Sequence, residues 1–202
     1  MELQKINVKF FTRSPYEVSL TDFIDIFNSW VQGSEGDFYD LADYSHMQAG
    51  PGILLIAHEA NISIDETGGR RGLLYNLKRP LQGSNSHRLR WVFMAALEYC
   101  RRIEEEPSIK GRIKFSGDEA LLLINDRLLA PNNEESFHVV RPDLEDLART
   151  LYAGANFNLE PSTRDRRERF GVKIKTPISF DIVTLLKNLE ERHADVGKSA
   201  VT

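Results

Sequence analysis

The stretch ILLIAHEANISIDETGGRRGLLYNL, from Ile53 to Leu77, decides how the rest of the chain is read. Ile53 to Ala57 is an uninterrupted apolar run bounded by turn residues, which marks a buried strand. Asn61 to Ile64 continues with alternating polar and apolar side chains, so the extended conformation carries on to Ile64. Thr67-Gly68-Gly69 reverses the chain, and Gly72 to Leu77 returns as the partner strand. This hairpin fixes which polar side chains can meet, and it implies antiparallel pairing.

Upstream, Gly50-Pro51-Gly52 is a turn, and Phe38 to His46 reads equally as a strand or a short helical turn. Ile6 to Phe11 alternates as a first strand, broken by Ser14-Pro15. Ser19 and Asp22 have the spacing of a capping box, in which hydroxyl and carboxylate satisfy free amides at a helix start. Leu20, Phe23, Ile24, Phe27 and Trp30 then form one apolar stripe, and Gly33 to Asp37 closes that helix.

Downstream, the longest helix is predicted from about Ser86 to Glu106, with Leu89, Val92, Phe93, Ala96, Cys100 and Ile103 as its stripe, widened by Trp91 and Leu97. Pro107 stops it. A second hairpin is expected between Arg112–Phe115 and Ala120–Asn125 around Ser116-Gly117-Asp118. Asn132 or Asn133 caps a further helical region that Pro142 restarts at its first position. Leu144, Leu147, Ala148 and Leu151 carry that helix to Gly154. A third hairpin pairs Ala155–Leu159 with Phe170–Lys175 across a charged loop, and Ser179 or Asp181 starts a last helix. The prediction is an α+β fold: a mainly antiparallel, hairpin-built sheet with helices packed on one face, a two-layer sandwich that allows two pseudo-equivalent halves. Residues 1–194 are expected to form one domain, with 195–202 as a frayed tail.

Composition narrows the function classes. Of 202 residues, 41% are hydrophobic and 28% charged, ordinary globular usage that excludes disorder of the whole chain. A net charge of −4 argues against general binding to nucleic acid or anionic membranes. Cys100 is the single cysteine, so neither an internal disulfide nor a cysteine zinc site can form. Met1 to Arg13 lacks the apolar core of a secretion signal, and the longest apolar run falls far short of the ~20 residues of a membrane helix. The chain reads as cytoplasmic.

The polar residues around the Gly-Pro-Gly turn carry the chemistry that the sequence offers: Asp43, Tyr44, His46, His58 and Glu59, with Tyr75 and Asn76 on the neighbouring strand. Asp43, His46, His58, Glu59 and Tyr75 are the candidate acid–base residues, and Asp43, His46 and His58 the candidate metal ligands, because imidazole and carboxylate both coordinate and titrate usefully. On an unbroken strand, however, His58 and Glu59 point to opposite faces. The plainer reading places them where the strand leaves the core. Gly50-Pro51-Gly52 leads into a strand rather than a helix, so it is a turn and not a phosphate loop. Cys100 lies on an apolar stripe and acts as a small hydrophobe. Arginines gather twice, at Arg70, Arg71 and Arg79 beside Lys78, and at Arg164, Arg166, Arg167 and Arg169, where an anion or acidic partner can dock.

No cofactor follows from these patterns. The leading expectation is a non-catalytic binding or assembly protein that pairs with itself or a protein partner through a sheet edge or helix face. The alternative is a metal-binding protein or small-molecule enzyme centred on Asp43, His46 and His58. The lesser alternative is nucleic-acid binding through the arginines.

Overall fold

A computed structural model describes residues 1–13 and 17–198; the side chains of Tyr39 and of residues 192–198 stand outside that description. Its elements are β1 (Ile6–Thr12), α1 (Leu20–Gly33), β2 (Phe38–Tyr44), β3 (Gly52–Ala57), β4 (Ala60–Asp65), β5 (Gly72–Leu77), α2 (Asn85–Glu105), β6 (Phe115–Ile124), α3 (Glu134–Leu151), β7 (Asn158–Pro161), β8 (Phe170–Lys175) and α4 (Ile182–Lys198). All eight strands join one antiparallel sheet in the order β2-β3-β4-β5-β1-β6-β8-β7.

The connectivity repeats once. A strand (β1) and a helix (α1) lead to a meander (β2 to β5) whose last strand returns to pair with β1, and α2 follows. A strand (β6) and a helix (α3) lead to a hairpin (β7, β8) whose last strand pairs with β6, and α4 follows. The two halves meet where β1 and β6 run antiparallel at the centre of the sheet.

Strand periodicity sorts the side chains onto two faces. The row Leu55, Ile62, Tyr75, Val8, Leu122 and Val172 lies in register across six strands and is buried beneath the helices. α1 covers it with Phe23, Ile26, Phe27 and Trp30, and α2 with the predicted stripe, including Phe93 edge-on to Phe10 at 6.0 Å. Each such apolar side chain contributes roughly 1.5–3 kcal/mol on full burial. The other face carries Leu54, Ser63, Leu74, Lys9, Leu121 and Lys173 in register. There the buried Lys9 ammonium pairs with Asp65 and also donates to the Thr67 carbonyl.

Local chemistry explains the ends. Ser19 and Asp22 form the expected capping box, Asn133 rather than Asn132 caps α3, and Asp181 accepts from the Thr184 amide at the start of α4. The third hairpin forms, but its first strand is Asn158–Pro161 rather than Ala155–Leu159; Phe38–Tyr44 is a strand, and the Ser14-Pro15 break lies outside the described residues. α4 continues to Lys198, past Asp195.

Three expectations need correction. Residues 53–64 are two strands: Ile53 pairs with Ile64 and Ile56 with Asn61, so His58 and Glu59 form the turn between them. Folding back sets β4 between β3 and β5 and buries both isoleucine-rich segments in the sheet. The hairpin around Ser116-Gly117-Asp118 is absent, because β6 runs straight through it. A Cβ on Gly117 would lie 2.5 Å from the Phe180 carbonyl oxygen, so this glycine serves close backbone approach instead of a turn. Pro142 stands inside α3 rather than restarting it. Its ring is on the exposed face, where water can satisfy the carbonyl one turn back.

Candidate functional site

α2 carries a second stripe beside its core stripe. Trp91, Ala95, Glu98, Tyr99 and Arg102 follow helical spacing and pass over the strand ends at Phe38, Ala57, Ala60 and Tyr75. Alanine at 57, 60 and 95 leaves the space between them unfilled, a cavity of about 580 Å³. Gly36, Asp37 and the His58-Glu59 turn line the rest of it. Backbone bonds hold that turn at both sides: the His58 amide donates to the Asp37 carbonyl (3.4 Å), and the Lys78 amide to the Glu59 carbonyl (2.9 Å).

The walls are aromatic. Tyr75 lies 5.9 Å from Tyr99 and 6.3 Å from Trp91 between ring centres, and Tyr99 lies 6.3 Å from Trp30 and 6.4 Å from Phe38. The Arg102 guanidinium sits 3.7 Å from the Trp30 ring centre and 5.5 Å from that of Phe38. Trp30 itself is fixed by its indole N–H, which donates to Glu106 at 3.1 Å. Of the lining carboxylates, Glu98 is gripped by Arg101, whereas Asp37 and Glu59 have no ion-pair partner among the described residues.

Tyr75 is the most telling wall residue. It is only 3% exposed, and its hydroxyl, which has no hydrogen-bond partner among the described residues, keeps contact with solvent. Burial pushes this phenol well above the ordinary tyrosine range, with Tyr99 and Glu59 adding to the shift. Tyr99 is raised for the same first reason, against the pull of Arg102. Both are therefore neutral phenols at neutral pH. Burial lowers the Arg102 pKa from the ordinary arginine value, and it remains a cation.

The structure brings His58, Glu59 and Tyr75 of the sequence-derived candidates together and leaves Asp43 and His46 apart from them. Asp43 pairs with Ile53 near the far end of β3, its carboxylate accepting from the Ser45 amide at 2.8 Å, which with the Ser45 hydroxyl holds it below the usual carboxylate range. His46 lies beyond, in the β2–β3 connection, beside Tyr44. Six residues of β3, about 20 Å at the rise of a strand, separate that end from His58. The Asp43, His46, His58 metal set is thus not assembled, and no three His, Cys, Asp or Glu side chains are grouped to hold a metal ion among the described residues. Asn76 belongs to the other face of the sheet, in register with Asn7 and Asn61.

No family model, curated protein or solved structure matches the chain.

The arginines divide by partner. Arg70 makes a two-pronged pair with Glu119 (2.8 and 3.1 Å) and stacks 3.8 Å from the Phe11 ring centre. Arg71 is buried against Glu66 and the Val18 carbonyl. Arg167 is held by Asp165. Arg79 is exposed, and Arg169 is half-buried. Arg164 and Arg166 line a separate cleft of about 850 Å³ against the start of α3, facing Glu134, Glu135 and Glu160. Cys100 is fully buried and its thiol is pushed up by burial.

Sequence reasoning missed Asp37, Glu98, Tyr99 and Arg102. The signal was present: Trp91, Ala95, Tyr99 and Arg102 recur at helical spacing beside the core stripe, with an alanine where a packed face would carry a larger side chain.

Proposed function

We propose that the chain is a cytoplasmic, non-catalytic binding protein that takes its ligand into the cavity under α2. The observation that carries this reading is the cavity itself, about 580 Å³ walled by Trp91, Tyr99 and Tyr75 and left open by alanines at 57, 60 and 95. Small-ligand sites are typically hollows of this kind, mostly apolar and aromatic with a few polar groups at the wall. Binding is favoured over catalysis by the neighbouring groups. His58 has no carboxylate or hydroxyl orienting its imidazole among the described residues, and the Cys100 thiol is sealed in the core. No helix among the described residues is long and apolar enough to cross a membrane.

A fragment set of mixed charge, followed through the tryptophan and tyrosine resonances, tests the cavity. Binders are expected to shift Trp91 and Tyr99 first, and Ala95→Phe, which fills the space, is expected to remove the shifts. A set that leaves every cavity resonance in place overturns the reading.

A second reading, self-association, is favoured by the sheet edges. The β7 edge is four residues long and carries Pro161, whereas the β2 edge runs for seven residues without proline, guarded only by Asp40, Asp43 and a register shift between Phe38 and Asp40. A homodimer joined along β2 is the proposed form. Size-exclusion chromatography with light scattering checks it, and a strict monomer at high micromolar concentration counts against it.

A further inference from the structure

We infer that the ligand group held in the α2 cavity is an alkylated ammonium, a weakly hydrated organic cation seated against Tyr75, Tyr99 and Trp91 with Asp37 and Glu59 at the rim. This rests on the cavity being a binding site. Aromatic faces are electron-rich and attract cations, and the fold already contains the interaction, since Arg102 lies over Trp30. That ring is therefore occupied, and Tyr75, Tyr99 and Trp91 are the rings left lining open space.

Charge points the same way. Three carboxylates and one guanidinium line the cavity, and two of those carboxylates, Asp37 and Glu59, are not neutralised by any cation of the described residues. The phenols offer neutral oxygens only. An anion would meet this surplus, and the one lining guanidinium is already stacked flat.

The degree of alkylation follows from hydration. A primary ammonium is strongly hydrated and needs several acceptors to replace its water. Here Ala57, Ala60 and Ala95 supply none beyond the backbone, and the phenol oxygens are few. A methylated ammonium gives up little hydration and gains the ring faces. The group could be carried on a free small molecule or on a methylated lysine of a partner protein, and both present the same chemistry.

The chain has two tryptophans, of which Trp91 lines the cavity and Trp30 adjoins it, so intrinsic fluorescence reports on this site. Choline, a trimethyllysine pentapeptide and dimethylbutanol, the uncharged carbon isostere of choline, are titrated into the full chain. At least one of the two cations is expected to saturate the signal and to bind roughly two- to thirtyfold tighter than the isostere, the span that a cation over aromatic rings supplies. The peptide binding more tightly assigns the group to a partner protein, and choline binding more tightly assigns it to a free metabolite. The exposed double substitution Asp37→Asn/Glu59→Gln, which leaves the core untouched, is expected to weaken the cation by about two- to tenfold at low salt and the isostere not at all. An isostere that binds as well as either cation, or a double variant with unchanged affinity, overturns the cation assignment while leaving the cavity as a binding site. Fragments that shift the cavity while both cations fail overturn it equally. Silence from fragments and cations together removes both readings.

Discussion

Two clefts of the molecule differ in a way that volume does not show. The cleft between α3 and the loop before β8 is the larger, about 850 Å³ against about 580 Å³. Its buried polar residue, Asn132, is 7% exposed and donates its amide hydrogens to the carbonyls of Thr163 (3.2 Å) and Asp165 (2.8 Å). The Tyr75 hydroxyl donates to nothing within the described residues and keeps contact with solvent. Asn132 fastens a loop, while Tyr75 lines a space. The walls, not the size of the hollow, distinguish the two: aromatic rings and alanines line the smaller, and an asparagine fastening a loop lines the larger.

Substitution separates the two most sharply. Asn132→Ala deprives two loop carbonyls of their donor and is expected to lower stability by about 1–3 kcal/mol, read from the midpoint of urea unfolding at unchanged slope. Tyr75→Phe removes a hydroxyl that has no internal partner and is expected to stay within about 0.5 kcal/mol. Should Tyr75→Phe prove as damaging as Asn132→Ala, the hydroxyl serves the fold and the contrast between the clefts disappears.

Much of this contrast was hidden in the sequence for identifiable reasons. Period and turn chemistry reach elements reliably when one local rule dominates. The stripe from Leu89 to Ile103, the Ser19–Asp22 box and the antiparallel α+β plan were all legible. Reading failed where long-range packing overrides a local rule. Gly117 looks like a turn residue and is a point of close approach to Phe180, so a predicted hairpin is one strand. Pro142 looks like a helix start and is tolerated on a solvent face. The candidate site was half legible. His58, Glu59 and Tyr75 drew notice by residue type, but on a continuous strand His58 and Glu59 could not meet. Only the pairing of Ile53 with Ile64 makes them a shared turn, and no local pattern announces that pairing. Arg102 could be read from its helical spacing with Trp91, Ala95 and Tyr99, whereas Asp37 was beyond reach, since it joins the cavity from a loop far from α2 in sequence.

Alkaline titration probes the same contrast with a smaller effect. Tyr75, Tyr99 and Tyr152 are raised above the ordinary phenol value chiefly by burial. The folded chain thus keeps protons that the unfolded chain releases above pH ~10, so their contribution is intact below that pH and is lost as pH rises through the folded values. Each raised phenol removes at most about 1.4 kcal/mol per pH unit in that window. The buried Cys100 thiol acts with the same sign from its own lower starting point. Phenolate absorbance from Tyr75, Tyr99 and Tyr152 is expected to appear only on unfolding. Tyr75→Phe is expected to make the alkaline loss shallower, and Asn132→Ala to leave its slope alone. Ionisation of Tyr75 and Tyr99 near the ordinary phenol value in a still-folded chain would contradict the burial of the cavity wall.

The smallest effect belongs to the arginines of the larger cleft. Arg164 and Arg166 are exposed and make no ion pair among the described residues, so Arg164→Gln/Arg166→Gln is expected to change stability by no more than about 0.5 kcal/mol. Glu134, Glu135 and Glu160 share the cleft and cancel its charge, which leaves little field to hold a polyanion. Wild-type protein is therefore expected to produce no shift of nucleic acid in a low-salt gel. A shift that the double substitution abolishes would make the loop arginines a docking surface after all. The cleft dismissed for its satisfied asparagine would then outrank the aromatic cavity, because a binding face built from flexible surface cations needs no aromatic wall to announce it.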